Sequence, residues 1–359
     1  MIYINGRFLV MPVTGVQRYA RELVSALDRL LAEGRLGTGD EEVVCLAPPD
    51  YHGRENWSRI AVRQAGARRG NLWEQVDLPR LARGGLLFSP ANIGPYFHPR
   101  QVVTIHDASV FAVPEAYSLP FRSKYRLIYR RMARIARKII TVSAFSRREL
   151  MRFCGMREEQ LVVIPEGSEH FASIPPDESI LRRTELEGRR YFLGVSSQSP
   201  HKNLPGILAA FRALGREDVA LALAGGTFGR VFNTAELDLP PGAWRLGYVS
   251  DGELRALYQH ALGYVFPTFY EGFGLPVLEA MSSGCPVICS NGSSLPEVGG
   301  DAVLYCDPRD PEDIARQMRA LCDDPALRVA LAEKGARQAQ AFSWETAARQ
   351  TWDVLVAQL

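Results

Sequence analysis

The sequence has no run of about 18 apolar residues, which excludes a membrane-spanning helix of the usual kind. The N-terminal MIYINGRFLV lacks the basic region, apolar core and small-residue cleavage site of a secretory signal, so a cytoplasmic protein is expected. No CxxC pair occurs among the six cysteines, and no Cys/His cluster has zinc spacing. Cys45, Cys154, Cys285, Cys289, Cys306 and Cys322 are scattered and read as reduced, buried thiols. There is no GxGxxG fingerprint with an acidic residue some 20 positions on, which argues against a nicotinamide dehydrogenase. A DxD motif is missing as well, so no carboxylate pair offers itself to a divalent cation. No internal repeat or low-complexity tract is present.

What remains is a chain of 359 residues, 47% apolar and 23% charged, the size and composition of two globular domains. Its net charge of +2 hides an asymmetry. Residues 1–165 carry 25 Lys and Arg against 15 Asp and Glu, and residues 166–359 carry 17 against 25. A basic half joined to an acidic half points to different partners for each.

Short β-rich runs alternate with amphipathic helical patterns from end to end. Ile2–Ile4, Val43–Ala47, Leu86–Phe88, Val102–Ile105, Ile139–Val142 and Val162–Ile164 read as strands of a first sheet. Tyr191–Val195, Ala220–Ala224, Trp244–Leu246, Gly263–Phe266, Val287–Cys289 and Ala302–Tyr305 read as strands of a second. Leu204, Ile207, Leu208, Phe211 and Leu214 give Asn203–Leu214 helical spacing. The alternation predicts two doubly wound parallel sheets. Pro165–Glu187, rich in Pro, Ser and Glu and without periodicity, reads as the boundary. The expected domains are 1–168 and 169–341, followed by a C-terminal helix in 342–359.

The densest chemical signal is EGFGLPVLE at Glu271–Glu279. Gly272 and Gly274 let the backbone approach a ligand, and Pro276 suits the first turn of a helix. The amides of Phe273, Gly274 and Leu275 then lie at a helix N-terminus, a site suited to phosphate. Glu271 precedes that helix and Glu279 lies about one turn inside it. One carboxylate can contact a sugar and the other can accept from ribose hydroxyls. A second signal, SSQSPHKN, follows a strand and opens a helix, placing Ser197, Lys202 and Asn203 where a cation and a helix dipole serve a pyrophosphate. Gly225 and Gly226, and Tyr248 with Val249, follow strand ends, where open α/β sheets bind ligands.

In the first half, Gly15 opens a helix after the first strand, with Arg18 one turn on. His106 and Asp107 follow Val102–Ile105 directly; as neighbours on a strand they are not a side-chain dyad. The remaining histidines His52, His98, His170 and His260 have no partner pattern and read as structural. Phe121–Ile140 reads as a basic amphipathic helix. Arg122, Lys124, Arg126, Arg130, Arg131, Arg134, Arg137 and Lys138 form one face, expected to meet anionic lipid or a lipid-diphosphate acceptor. No feature points to nucleic acid.

At EGFGLPVLEAMSSGCPVICS, SLPEVGGDAVLY, SPHKN and FSWETA the chain resembles the retaining glycosyltransferases of family 4 over nearly its whole length. The resemblance implies the GT-B fold: two Rossmann-like domains facing across a cleft, with the last helix crossing back to the first. It implies a nucleotide-sugar donor on the second domain and an acceptor on the first. Lys202 is then expected on the diphosphate, Glu279 on the ribose and Glu271 on the transferred sugar. Phe273, Gly274 and Leu275 offer amides, Tyr248 and Val249 lie near the base, and Gly15 lines the phosphate site. His106 contacts the sugar near the reacting centre, with Arg18 and Asp107 toward the acceptor. Transfer is expected to retain anomeric configuration without metal or cofactor, the nucleotide sugar being a substrate.

Two departures stand out. His201 occupies a position where the family commonly has Arg, which removes a bidentate cation and predicts a weaker or pH-sensitive diphosphate contact. PEGSE stands where Asn-Gly is usual. GDP-mannose, a UDP-sugar and a deoxysugar nucleotide all remain open as donor. The acceptor is expected to be a glycan or a lipid-linked intermediate of bacterial polysaccharide assembly, with the enzyme peripheral on the inner face of the plasma membrane. A sugar-nucleotide epimerase or hydrolase of similar shape and a non-catalytic nucleotide-binding scaffold are the alternatives.

Overall fold

The computed structural model describes residues 1–37, 41–53, 55–195, 199–225 and 238–359. The chain divides into two units. One contains Met1–Phe111, Ser123–Glu166 and Ser343–Leu359; the other contains Ala112–Arg122 and Gly167–Phe342.

The first unit is built on a sheet of seven strands among the described residues. They are β1 (Ile2–Asn5), β2 (Val43–Ala47), β3 (Ala61–Gln64), β4 (Leu86–Ser89), β5 (Gln101–Thr104), β6 (Lys138–Thr141) and β7 (Leu161–Val163). All pair in parallel, in the order β3-β2-β1-β4-β5-β6-β7. β2, β4 and β5 are buried along their whole length, as strands covered on both faces must be. β3 was not legible in the sequence. It is an edge strand, largely exposed, with the mixed composition AVRQ.

The second unit carries β8 (Arg190–Val195), β9 (Val219–Ala224), β10 (Ala243–Gly247), β11 (Gly263–Phe266), β12 (Val287–Ser290) and β13 (Leu304–Cys306). These are again all parallel, in the order β10-β9-β8-β11-β12-β13. A core of Phe192, Ile207, Leu221, Val265, Ile288, Met318 and Leu321 lies between this sheet and its helices. The fold is two Rossmann-like parallel-sheet domains, as the alternation of elements predicts. All six cysteines are buried and unpaired.

Three sequence readings are refined here. The segment Pro165–Glu187, read as the boundary, holds two short helices, Glu169–Ser173 and Ser179–Arg183. Phe171 is buried edge-on to Tyr258 at 5.9 Å between ring centroids, an anchor that a search for helical periodicity cannot see in five residues. The basic helix runs from Leu119 to Ile135, not to Ile140; Lys138 and Ile139 belong to β6. Its basic face is not uniformly solvated either. Arg126 donates to the Val110 carbonyl (2.9 Å) and Arg131 to that of Tyr96 (3.0 Å). Third, the helix expected from Asn203 begins at Leu204, with Asn203 as its N-cap in the left-handed region.

The C-terminal helix Trp344–Val356 is capped by Ser343, whose hydroxyl accepts from the Thr346 amide (3.0 Å). It packs on the helix Gly15–Ala32 within the first unit, with Trp344 edge-on to Tyr19. Arg349 donates to the Arg35 carbonyl, 2.9 Å away. Among the described residues no helix is long and apolar enough to cross a membrane.

Candidate functional site

Strand order locates the site in the second unit. From the neighbours β8 and β11 the chain winds outward in opposite directions, so their carboxyl ends bound the crevice where doubly wound sheets bind ligands. The loops leaving these two strands are SPHKN and TFYEGFG, and they are tied together. The His201 carbonyl accepts from the Thr268 hydroxyl (2.7 Å) and the Phe269 amide (2.8 Å). The Asn203 amide donates to the Pro267 carbonyl (3.0 Å) and to that of Pro308 (2.6 Å), while its oxygen accepts from the Gly206 amide. Asn203 thus caps the helix and braces the two loops.

Lys202 and Glu271 come together across this crevice as an ion pair. Both side chains are more than four-fifths buried. The Lys202 ammonium also lies over the Phe266 ring, 4.9 Å from its centroid. Glycines 272 and 274 follow, and the helix Leu275–Ser282 starts at Gly274, whose φ of 111° is closed to ordinary side chains. A Cβ there would also meet the Leu295 side chain at 2.7 Å. The turn is fixed by Ser294, whose hydroxyl lies within 2.9 Å of both the Glu271 and Phe273 carbonyls. Pro276 has no amide hydrogen, and the Val277 amide donates to the Gly274 carbonyl (2.9 Å), so anion binding at this helix end falls to the amides of Phe273, Gly274 and Leu275. Ser294 was not singled out in the sequence, although it sits beside the SLPEVGG stretch.

Glu279 is buried on the same helix, with His170 Nε2 3.7 Å from its carboxylate. His170, read as structural, lies on the short helix Glu169–Ser173 and packs beside this candidate ligand residue. His201 departs from its expectation too. Burial, reinforced by the neighbouring Lys202 charge, pushes its pKa down to about 3. The imidazole is therefore neutral through the physiological range and brings no titrating charge to the diphosphate contact. Its Nδ1 is 2.8 Å from the Ser199 hydroxyl, and its ring stacks on Tyr117.

At the far edge of this sheet, Gly225 has φ 131° and donates to the Gly247 carbonyl (2.8 Å). Tyr248 is 82% exposed and Val249 is buried. Ser197 and Gly226 lie outside the described residues.

In the first unit, Gly15 begins its helix behind Thr14, and a Cβ there would meet nothing within 4 Å. Open space, not crowding within the fold, surrounds this glycine. Arg18 pairs loosely with Glu22 at 4.0 Å. Asp107 accepts from the Ser109 amide (2.8 Å) and so caps the turn that follows, a local duty that its sequence position did not reveal. His106 is buried after β5. Its Nδ1 lies 3.2 Å from Glu166, its Nε2 lies 3.4 Å from the Pro90 carbonyl, and its ring meets Tyr19 edge-on at 4.5 Å. The partner carboxylate comes from 60 residues away. Only the unusual PEGSE spelling hinted at Glu166.

Comparison with known proteins follows the same division. Residues 13–169 match the family described as Glycosyltransferase Family 4, and residues 177–338 match Glycosyl transferases group 1. O-antigen chain mannosyltransferase B of Escherichia coli is 32% identical over 95% of this chain and 95% of its own length. An MMP alpha-(1->4)-mannosyltransferase of Mycolicibacterium hassiacum is 31% identical over 62% of this chain and 54% of its own. Among solved structures, sucrose-phosphate synthase from Thermosynechococcus elongatus superposes with a TM-score of 0.74 at 20% identity, covering 99% of this chain and 98% of that one. Anabaena Alr3699/HepE, solved in complex with UDP and glucose, superposes with a TM-score of 0.71 at 16% identity, covering 99% of each chain.

Proposed function

The chain belongs to glycosyltransferase family 4, and from that premise we propose that it moves a mannosyl group from GDP-mannose to a saccharide hydroxyl with retention of configuration, in bacterial polysaccharide assembly. The observation that carries the reading is the Lys202–Glu271 pair at the β8/β11 switch point, beside the N-terminus of the helix Leu275–Ser282. The choice of mannose is supported by the E. coli O-antigen chain mannosyltransferase, similar along nearly the whole chain.

In this reading Lys202 turns from Glu271 to the diphosphate when donor binds. The amides of Phe273, Gly274 and Leu275 share the negative charge. Glu279 accepts from the ribose hydroxyls, with His170 packed beside its carboxylate. Glu271, released by Lys202, meets the sugar. His106, oriented by Glu166, contacts the sugar near the reacting carbon. The acceptor oxygen bonds to that carbon on the face the diphosphate leaves, the carbon–oxygen bond to the diphosphate breaks, and the departing diphosphate oxygen takes the acceptor proton. A calorimetric panel of nucleoside diphosphates and sugar nucleotides tests the donor. GDP and GDP-mannose should bind; a panel without any binder would refute the reading.

Lys202 and the helix amides supply the positive charge that a cation would otherwise bring. Transfer is therefore expected to survive EDTA, and loss on chelation restored by manganese or magnesium would contradict this.

Recruitment to an anionic membrane surface is supported by the exposed part of the basic helix. Leu127, Arg130 and Arg134 lie on one helical face, and Leu127 is 59% exposed. Each engaged cation contributes about 1 kcal/mol near an anionic surface. Co-sedimentation with anionic vesicles is expected to fall with added salt and fall again in the Arg130→Glu, Arg134→Glu double variant. Equal binding to neutral vesicles would contradict an electrostatic attachment.

A further inference from the structure

Glu279 is a largely buried carboxylate that the protein itself leaves unserved. Among the described residues no group donates a hydrogen bond to its carboxylate oxygens. Its main-chain carbonyl is occupied, accepting from the hydroxyls of Ser282 and Ser283 (2.9 Å each). The two tyrosines nearest in charge terms spend their hydroxyls elsewhere. That of Tyr258 donates to the Pro276 carbonyl (3.3 Å) and that of Tyr264 to the Val195 carbonyl (3.4 Å). Burial holds both phenols well above the usual tyrosine range, so both stay neutral. A buried carboxylate without donors costs stability, and a ligand that brings hydroxyls removes that cost.

One group that can carry positive charge stands within ion-pair reach of Glu279 among the described residues. It is His170, whose Nε2 lies 3.7 Å from Oε1. The two side chains are 6% and 12% exposed. The gap is too long for a direct hydrogen bond. A carboxylate only accepts, so the ring nitrogen that faces it carries the hydrogen. The histidine is held firmly in place. The Ser173 hydroxyl donates to the His170 carbonyl (2.8 Å), and the Ile174 amide to that of Phe171 (3.3 Å). Arg255 donates to the Ile174 carbonyl. Phe171, the next residue, is anchored edge-on against Tyr258. The short helix Glu169–Ser173 thereby packs on the helix Leu275–Ser282, which carries Glu279.

We propose that His170 is a second ribose-binding residue, acting with Glu279 on one pair of neighbouring hydroxyls and selecting ribonucleotide donors over deoxyribonucleotide ones. The assignment rests on the nucleotide-sugar reading above and adds a residue and a selectivity to it. Both hydroxyls of a ribose donate to the Glu279 carboxylate. The one on the Oε1 side still has lone pairs and accepts from His170 Nε2–H. A donor and an acceptor side by side suit a hydroxyl, which is both. A phosphate oxygen, which only accepts, is repelled by the carboxylate. A deoxyribose lacks one of the two hydroxyls and leaves a protein group without its partner. A site built to hydrogen-bond a hydroxyl rejects the analogue that lacks it for this reason. His170 meets the ribose and not the transferred sugar, so its loss acts on donor binding and leaves the chemical step alone.

Calorimetry on the full chain tests this, with GDP and UDP, each beside its 2'-deoxy and 3'-deoxy forms. His170→Phe keeps a ring beside Phe171 and removes the N–H. Its affinity for the ribonucleotide that the wild type binds should fall roughly 3- to 10-fold, the range of one lost hydrogen bond. Its affinity for one of the two deoxy forms should equal the wild type's, because the hydroxyl that His170 holds is already missing there. His170→Gln restores an N–H donor and should recover part of the loss. In the transfer assay His170→Phe should raise the donor KM at unchanged kcat. Should His170→Phe fail to fold, His170→Leu is measured in its place. Equal weakening of all three forms would reduce His170 to a packing residue and overturn the assignment, as would unchanged ribonucleotide affinity. If Glu279→Ala loses the preference for ribose and His170→Phe keeps it, the carboxylate acts alone; the assignment then falls and the transferase reading stands. A wild type that binds neither nucleotide would overturn both.

Discussion

Lys202→Ala is expected to abolish most transfer and to weaken nucleoside diphosphate binding roughly 10- to 150-fold, the range of a lost charge-assisted contact worth ~1.5–3 kcal/mol. Nucleoside without phosphate should bind almost as before. The effect is large because the ammonium is placed and not merely present. It is held at the β8/β11 switch point by the braced SPHKN loop and lies against the Phe266 ring. Its loss also leaves Glu271 without a counter-charge in a crevice that must receive an anion. Neutral His201 cannot substitute. Calorimetry with diphosphate and nucleoside side by side checks this. Unchanged diphosphate affinity would remove Lys202 from the site.

Glu271→Gln is expected to cut kcat roughly 100- to 1,000-fold, the scale of losing one preorganised polar contact to the reacting sugar. Nucleoside diphosphate affinity should hold or rise, because the variant frees Lys202 from its ion pair. Glu279→Ala should do the reverse. Its carboxylate lies inside the helix beside His170, so every ribonucleotide form should bind about 5- to 10-fold more weakly, as for one lost hydrogen bond. Equal weakening of diphosphate binding by both substitutions would erase the division of labour between the two glutamates.

Much of this arrangement could be read from the chain alone, for identifiable reasons. Strand–helix alternation gave both sheets, since buried parallel strands are continuous apolar runs. β3 escaped because an exposed edge strand carries no such run. In the donor half, the chemistry is concentrated in two short loops that the glycines, prolines and Lys202 announce. The partners of these residues are another matter. Glu166 is 60 residues from His106. No local pattern encodes a pairing between segments that only the fold brings together. Nor does the chain show that Asn203 and Asp107, expected as site residues, also serve as local caps. The basic helix was overextended because Lys138 and Ile139 continue its charge pattern, although they pair as strand with Val102 and Val103.

The central claim is that the protein joins a donor sugar to an acceptor hydroxyl. The most direct measurement is proton NMR of GDP-mannose turnover with and without a saccharide acceptor. The account predicts that GDP appears in step with a new glycoside whose anomeric proton shows the donor's α configuration, and that turnover depends on acceptor. GDP release at the same rate without acceptor, or an epimerised sugar nucleotide and no new glycosidic bond, would contradict it.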